Sequence, residues 1–250
     1  MNLLLVNDDG IYAQGIRTLA GALSREHCVY VVAPHTEMSG TAHAVSFHRH
    51  LHYTRLELVE GAQCYALTGT PADCSKFGLE YLFADRKIDC VISGINDGYN
   101  LGSDVIYSGT VNAALEAAML GVPAIAVSQA DGLRDFAYSA DFIARNLSDL
   151  CRILPADGAR ILSINIPSDR AEEIAGVRFV KVGTRKYSDR YLDEGLRGYR
   201  IVGAPIEDER NDAESDVLCA QSGYITVSPI AADCNDWDAL RRLQGRSLCK

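Results

Sequence analysis

The sequence predicts an α/β protein with a mostly parallel sheet and a β-rich C-terminal extension, on two observations. Up to about residue 164, apolar runs of strand length alternate with amphipathic stretches of helical length, which gives a parallel sheet covered on both faces. From about Val177 the apolar runs shorten and are separated by Tyr, Gly and charged residues, as in strands or hairpin arms. Taken in order, Leu3-Leu4-Leu5-Val6 reads as a buried strand, residues 15–25 as a helix, and residues 29–33 as a second strand ended by Pro34. Thr70-Pro71, a cap followed by proline at the first helical position, starts a helix to about Phe83. Residues 88–92 form the next strand and lead into a loop rich in Gly and Asn. From Thr110, residues Val111, Ala114, Leu115, Ala118 and Met119 share one helical face until Gly121-Val122-Pro123 stops it. A strand at 124–127, a helix at 136–152 and a strand at 160–164 complete the alternation. In the extension, 177–182, 199–202 and 224–227 are the candidate antiparallel strands or hairpin arms. No repeat or clean linker divides the chain, so it is one domain, with a core of about 1–170 and an extension of about 171–250.

The totals narrow the class. With 250 residues, 48% of them apolar, the chain can bury a large core. No stretch reaches membrane-spanning length, and the N-terminal run meets Asp8-Asp9 without a basic leader, so neither a span nor a signal peptide is expected. A net charge of −9 opposes long-range attraction of nucleic acid or anionic lipid. The eight cysteines form no Cys-x-x-Cys pair, and Cys28 and Cys90 sit beside strand-like runs. Buried free thiols in a reducing, cytoplasmic compartment fit this better than disulfides or zinc.

Candidate chemistry gathers at strand ends. Asn7-Asp8-Asp9-Gly10 follows the first strand directly, where ligands sit in open parallel sheets. Gly10 allows a sharp turn, and a divalent cation would convert the repulsion of two adjacent carboxylates into binding. A solvated turn is the alternative. Residues 93–102, with three glycines and two asparagines, can bring backbone amides to an anion and Asn carbonyls to a hard cation, or be an ordinary long turn. Ser108-Gly109-Thr110 opens a helix whose N-terminal amides suit a phosphate, or simply caps it. Ser39-Gly40 lies in the loop after the second strand.

All six histidines fall between residues 27 and 52. His48, His50 and His52 alternate like one face of a strand, read as a solvated face rather than a zinc site because no Cys or acid sits at a matching spacing. His43, four residues after Ser39, is the better catalytic candidate, as a phosphate contact or proton donor.

Asn7-Asp8-Asp9-Gly10, Ser39-Gly40, Gly69-Thr70-Pro71-Ala72-Asp73, Ser93-Gly94-Ile95-Asn96, Asn100-Leu101-Gly102 and Tyr107-Ser108-Gly109-Thr110-Val111 together resemble the SurE family of stationary-phase survival proteins, which are 5'-nucleotidases. Asn165-Ile166-Pro167, Gly183-Thr184-Arg185 and residues 223–230 extend the resemblance over nearly the whole chain. It implies a Rossmann-like, doubly wound core whose C-terminal hairpin is exchanged in homodimers or homotetramers. It also implies one divalent cation per subunit, held by Asp8, Asp9, Ser39 and Asn96. Mg²⁺ or Mn²⁺ suits such all-oxygen ligands. Phosphate would lie near Asn96, Asn100 and the Ser108-Gly109-Thr110 turn, with Asp8, Asp9, Asn96 and His43 as the catalytic set. The implied substrates are nucleoside 5'-monophosphates, and also 3'-nucleotides and short polyphosphate, with no nucleic-acid duplex and no membrane as partner. Gln14 and Met38 depart from residues common in relatives without removing a ligand.

The rival class is a phospho-acceptor signalling domain, which also places paired acids after its first strand. It needs an acceptor Asp ending a middle strand and a chain about half as long. Haloacid-dehalogenase-like chemistry wants Asp-x-Asp where Gly10 stands, and no dinucleotide fingerprint follows the first strand.

Overall fold

The computed structural model describes residues 1–154, 159–244 and 246. Its centre is β1 (Asn2–Val6), buried on both sides: Leu3 and Leu5 face one layer of the core, Leu4 and Val6 the other. This is why the run carries no polar alternation. β2 (Cys28–Pro34) pairs with β1 in parallel on one side and β5 (Cys90–Asp97) on the other. β4 (Ala62–Leu67) lies outside β2, and β3 (Tyr53–Leu56) forms the antiparallel edge. Beyond β5 come β6 (Ala124–Gln129) and β7 (Arg160–Ile166), both parallel. The sheet is completed by β13 (Tyr224–Ala231) and β8 (Gly176–Phe179), in the order β3-β4-β2-β1-β5-β6-β7-β13-β8.

Connections leave β1 and return on opposite sides of it, so the β1/β5 crevice is a topological switch point. Helices α1 (Gln14–Leu23) and α4 (Ala137–Ile153) cover one face through Ile16, Leu19, Ile143 and Leu147. Helices α2 (Pro71–Phe77) and α3 (Gly109–Met119) cover the other through Cys74, Val111 and Ala114. A capping box starts α2, with Thr70 accepting from the Asp73 amide and Asp73 from the Thr70 amide, a device that stabilises helix starts by about 1 kcal/mol. α2 continues as a π-helical turn through Gly78–Leu82, within the span expected to Phe83. Two short antiparallel pairs stand apart from the sheet: β10 (Arg190–Asp193) with β11 (Tyr199–Val202), and β9 (Lys186–Tyr187) with β12 (Pro205–Ile206). Helices α5 (Asp216–Gln221) and α6 (Trp237–Leu243) and three short 3-10 turns at Gly102–Ile106, Ala171–Glu173 and Gly195–Arg197 complete the described elements. No described helix is long and apolar enough to cross a membrane.

Several expectations need correction. The strand expected at 224–227 is present as β13, antiparallel to β7, and buries Ile225 and Val227 in the larger core, but the one expected at 177–182 is β8, which ends at Phe179 and pairs with β13 in parallel. The main sheet therefore draws two of its nine strands, β8 and β13, from the residues after 170. The antiparallel hairpin extension is confined to residues 186–206. His48, His50 and His52 lie exposed in the loop before β3, not on a strand. β4 was not foreseen, because Ala62, Gln63 and Tyr65 are only half-buried and break the apolar run. β5 begins two residues later than expected and continues through Asp97, so Asn96 sits on a strand end paired with Ser128. Cys28 is exposed, whereas Cys90 is buried; Cys249 lies outside the described residues.

Candidate active site at the carboxyl edge of the sheet

Because β1, β2 and β5 are parallel, the segments that follow them open at one edge, and there they line a cleft of about 950 Å³. The turn after β1 is held by buried Asn7, whose Nδ2 donates to Gly10 O at 2.9 Å, with Gly10 at φ +98°. Asp8 and Asp9 leave this turn into the cleft. Asp8 is buried, and its carboxylate accepts from Thr110 Oγ1. Gly109 packs on it so closely that a Cβ there would lie 2.7 Å from Asp8 Cβ. The start of α3 and the first acid thus form one fitted unit.

The loop after β2 brings Glu37, Ser39 and Gly40 to the same cleft, its Met38 amide donating to Asp8 O at 2.7 Å. Ser39 is exposed, and its hydroxyl donates to Glu37 Oε1 at 2.9 Å. At the end of β5, Asn96 Nδ2 donates to Gly98 O at 2.8 Å, which leaves its carbonyl oxygen free to serve a ligand. Buried Asn100 is fixed by Nδ2 on Ser128 Oγ at 2.8 Å and by its amide on Asn165 Oδ1 at 2.9 Å. Ser108 lines the cleft while its hydroxyl accepts from the Val111 amide as the cap of α3.

Six of the nine residues singled out from the sequence, Asp8, Asp9, Ser39, Asn96, Asn100 and Ser108, therefore line one cleft. Gly109 and Thr110 stand behind Asp8 as its support. His43 does not line the cleft: its Nε2 lies 2.8 Å from Oε2 of buried Glu116 on α3, whose Oε1 accepts from Lys76 at 3.3 Å. Its spacing from Ser39 suggests a phosphate contact or proton donor, whereas its ring is turned to a carboxylate that does not line the cleft.

The far wall was not legible as a site. Ser103, Asp104 and Tyr107 come from the turn before α3, and Arg185, Tyr187, Asp189 and Ile201 from the extension. In the sequence, Gly183-Thr184-Arg185 carries a family motif but no local signature of a role in the cleft. A second cavity of about 410 Å³ lies behind Arg185, lined by Tyr99, Leu101 and Val217, and none of the sequence-derived candidates faces it.

The cleft is strongly acidic. Asp8, Asp9, Glu37, Asp97, Asp104 and Asp189 line it against a single basic residue, Arg185, which is itself paired with Asp104 at 2.8 Å. Burial pushes the Asp8 carboxyl up, offset in part by its hydrogen bond from Thr110. Burial and the neighbouring Asp8 charge push Asp9 up to about 7. Two adjacent carboxylates this reluctant to ionise together are the donors a hard cation relieves. Among the described residues no three His, Cys, Asp or Glu side chains form a metal-binding group. A cation here would need neutral oxygens beside the acids, and Ser39 and Asn96 present such oxygens.

Fold and site together define a doubly wound α/β protein with an oxygen-lined acidic cleft at its switch point. Comparison with known proteins places it further. The family model described as "Survival protein SurE" matches residues 3–189. A "5'-nucleotidase SurE" of Alkaliphilus metalliredigens is 40% identical, covering 100% of both chains. One from Gloeobacter violaceus is 43% identical over 93% of this chain and 90% of its own. The crystal structure of the SurE protein from Aquifex aeolicus superposes with a TM-score of 0.83 at 32% identity, covering 98% of each chain. The chain belongs to the SurE family.

Proposed function

We propose that this protein is a divalent-cation-dependent phosphohydrolase that removes phosphate from nucleoside 5'-monophosphates, with 3'-nucleotides and short polyphosphate as further substrates. The observation that carries the reading is the convergence of Asp8, Asp9, Ser39 and Asn96 on one cleft beside the start of α3. The names of the relatives support the same activity and lend nothing to a signalling role. Asp8, Asp9, Ser39 and Asn96 would hold one Mg²⁺ or Mn²⁺, which when bound neutralises phosphate charge and acidifies a coordinated water.

The chain's own residues divide the remaining work. Asp8, braced by Thr110 and Gly109, is the fixed ligand. Asp9, less buried, orients the attacking water and takes its proton. Ser108 at the start of α3 and the Asn100 side chain, which both line the cleft, would serve the equatorial phosphate oxygens, where a helix N-terminus favours negative charge. Substitution of Asp9 by Asn should lower phosphate release from AMP by about 10²-fold or more, with folding intact by circular dichroism. Full activity of Asp9→Asn after EDTA treatment would overturn the proposal.

Assembly and location belong to the same proposal. The β10–β11 hairpin exposes Tyr191, Tyr199 and Ile201, a surface suited to exchange in a homodimer or homotetramer. The seven described cysteines are all unpaired, which suits the cytoplasm.

A further inference from the structure

A phosphate fills only a small part of a 950 Å³ cleft, so most of that volume faces the remainder of the substrate. The wall opposite the acids is an ordered unit. Asp104 Oδ2 accepts from Arg185 Nη1 at 2.8 Å and from Tyr187 OH at 2.6 Å, the Arg185 amide donates to Ser103 Oγ at 3.1 Å, and the guanidinium carbon lies 5.5 Å from the Tyr187 ring centroid. The Asp104 and Arg185 side chains are only 16% and 18% exposed, so one carboxylate fixes two donors from the extension against the turn before α3.

A second buried acid holds the two segments together from behind. Asp216, at the start of α5, accepts from the Gly102 amide at 2.9 Å and the Gly183 amide at 2.8 Å. Gly102 fits against the chain at Thr184 so tightly that a Cβ would lie 2.9 Å from its carbonyl carbon. A wall tied at front and back is preorganised.

What it offers a ligand follows from what is already committed. The Tyr187 hydroxyl is spent on Asp104, and burial together with that acceptor pushes its phenol up, so it stays a protonated donor. The Arg185 guanidinium meets one side of its ring, which leaves the opposite face for a ligand, and Tyr187 is 39% exposed. Arg185 has five N–H groups, of which Asp104 takes one from the guanidinium side, so others remain for an acceptor. A π-face beside a hydrogen-bond donor fork is complementary to a purine, which has a broad stacking face and an unpaired N7 acceptor.

We propose that Tyr187 and Arg185 form the base-recognition subsite of this cleft, Tyr187 stacking on a purine and Arg185 donating to its acceptor edge, with Asp104 as the positioning residue that fixes both. The inference rests on the nucleotidase reading and adds the substrate class: purine over pyrimidine nucleoside monophosphates.

The test compares AMP with ribose 5-phosphate, which shares the phosphate and sugar and lacks the base, and measures adenosine binding by calorimetry in EDTA. In Tyr187→Ala and Arg185→Ala the ratio of kcat/KM for AMP to that for ribose 5-phosphate should fall by about 10-fold, the loss of one stacked or hydrogen-bonded base contact. Adenosine binding should weaken in parallel, and Tyr187→Phe, which keeps the ring, should retain most of it. Asp104→Asn should raise KM for AMP without a matching fall in kcat. An equal loss on both esters, or adenosine binding unchanged by either alanine variant, would overturn the subsite. If the native protein bound adenosine through Tyr187 and Arg185 yet released phosphate from no ester, the hydrolase reading would fall and the subsite would stand.

Discussion

At Gly109 the site tolerates no side chain, because a Cβ would press on Asp8 at 2.7 Å and on Asp8 Oδ2 and Pro71 Cγ at 3.0 Å. Since α3 is anchored by ten buried positions, the acid turn should yield before the helix does. Gly109→Ala should therefore displace Asp8, lowering kcat/KM for AMP by about 10²-fold while Tm moves by only a few degrees, a split read by assay and thermal melting on one preparation. Asp9 makes a prediction of opposite character. Its carboxyl titrates near 7 in the folded chain against an ordinary 3.8, so the folded state binds the proton more tightly than the unfolded one. The stability this contributes is fully present below 3.8 and is lost as pH rises through 7. Metal-free protein should thus melt at lower temperature at pH 8 than at pH 5 by more than Asp9→Asn does, and saturating Mn²⁺ should restore the high-pH melt.

At the scale of elements, the 35–52 loop is the segment whose fixation matters most for the cleft. It is fastened by the Met38 amide on Asp8, by Ala42 N on Tyr107 O at 3.0 Å, by Thr70 Oγ1 on Ala44 O at 2.6 Å, and by His43 on Glu116. The His43 hydrogen bond, with Lys76 behind it, holds the Glu116 carboxyl below its usual range. His43→Ala should cost about 1–3 kcal/mol of local anchoring, visible as faster proteolysis of this loop, and should lower activity several-fold. A loss comparable with that of Asp9→Asn would instead place His43 in the chemistry. This histidine marks the limit of sequence reading. The strand-end acids, the Gly/Asn loop and the capped α3 were legible because each carries its own local signature: buried apolar runs before Asp8, Gly10 at the turn, Ser108 as a cap. The partners of His43 and the wall around Arg185 were not, since Glu116 is 73 residues away and Asp104 is 81 residues from Arg185. Neither separation leaves a periodicity. β4 escaped for a related reason, its half-buried positions lacking the unbroken apolar character of β1.

Across the whole molecule, the residues after 170 divide into two parts with different roles. β13 pairs with β7 from Asn165 to Arg160 and buries Ile225 and Val227, while Asn165 on β7 holds Asn100 in the cleft. The β10–β11 hairpin pairs with no strand of the main sheet and reaches the cleft through Ile201, and its flanks are clamped together by Ser188 N on Ala204 O at 3.0 Å. A chain ending at 170 would expose the edge and apolar faces of β7, so it should be recovered as aggregate or as a species without a cooperative melt. A chain in which residues 190–202 are replaced by a two-residue Asn-Gly turn keeps the β9–β12 pair and should melt within several degrees of the intact protein. If that hairpin is the exchanged arm, the shortened chain should run as a monomer by light scattering while the intact protein runs as a dimer or tetramer. Cooperative folding of the 1–170 chain would show that β13 and β8 are an accessory to the sheet rather than part of its core.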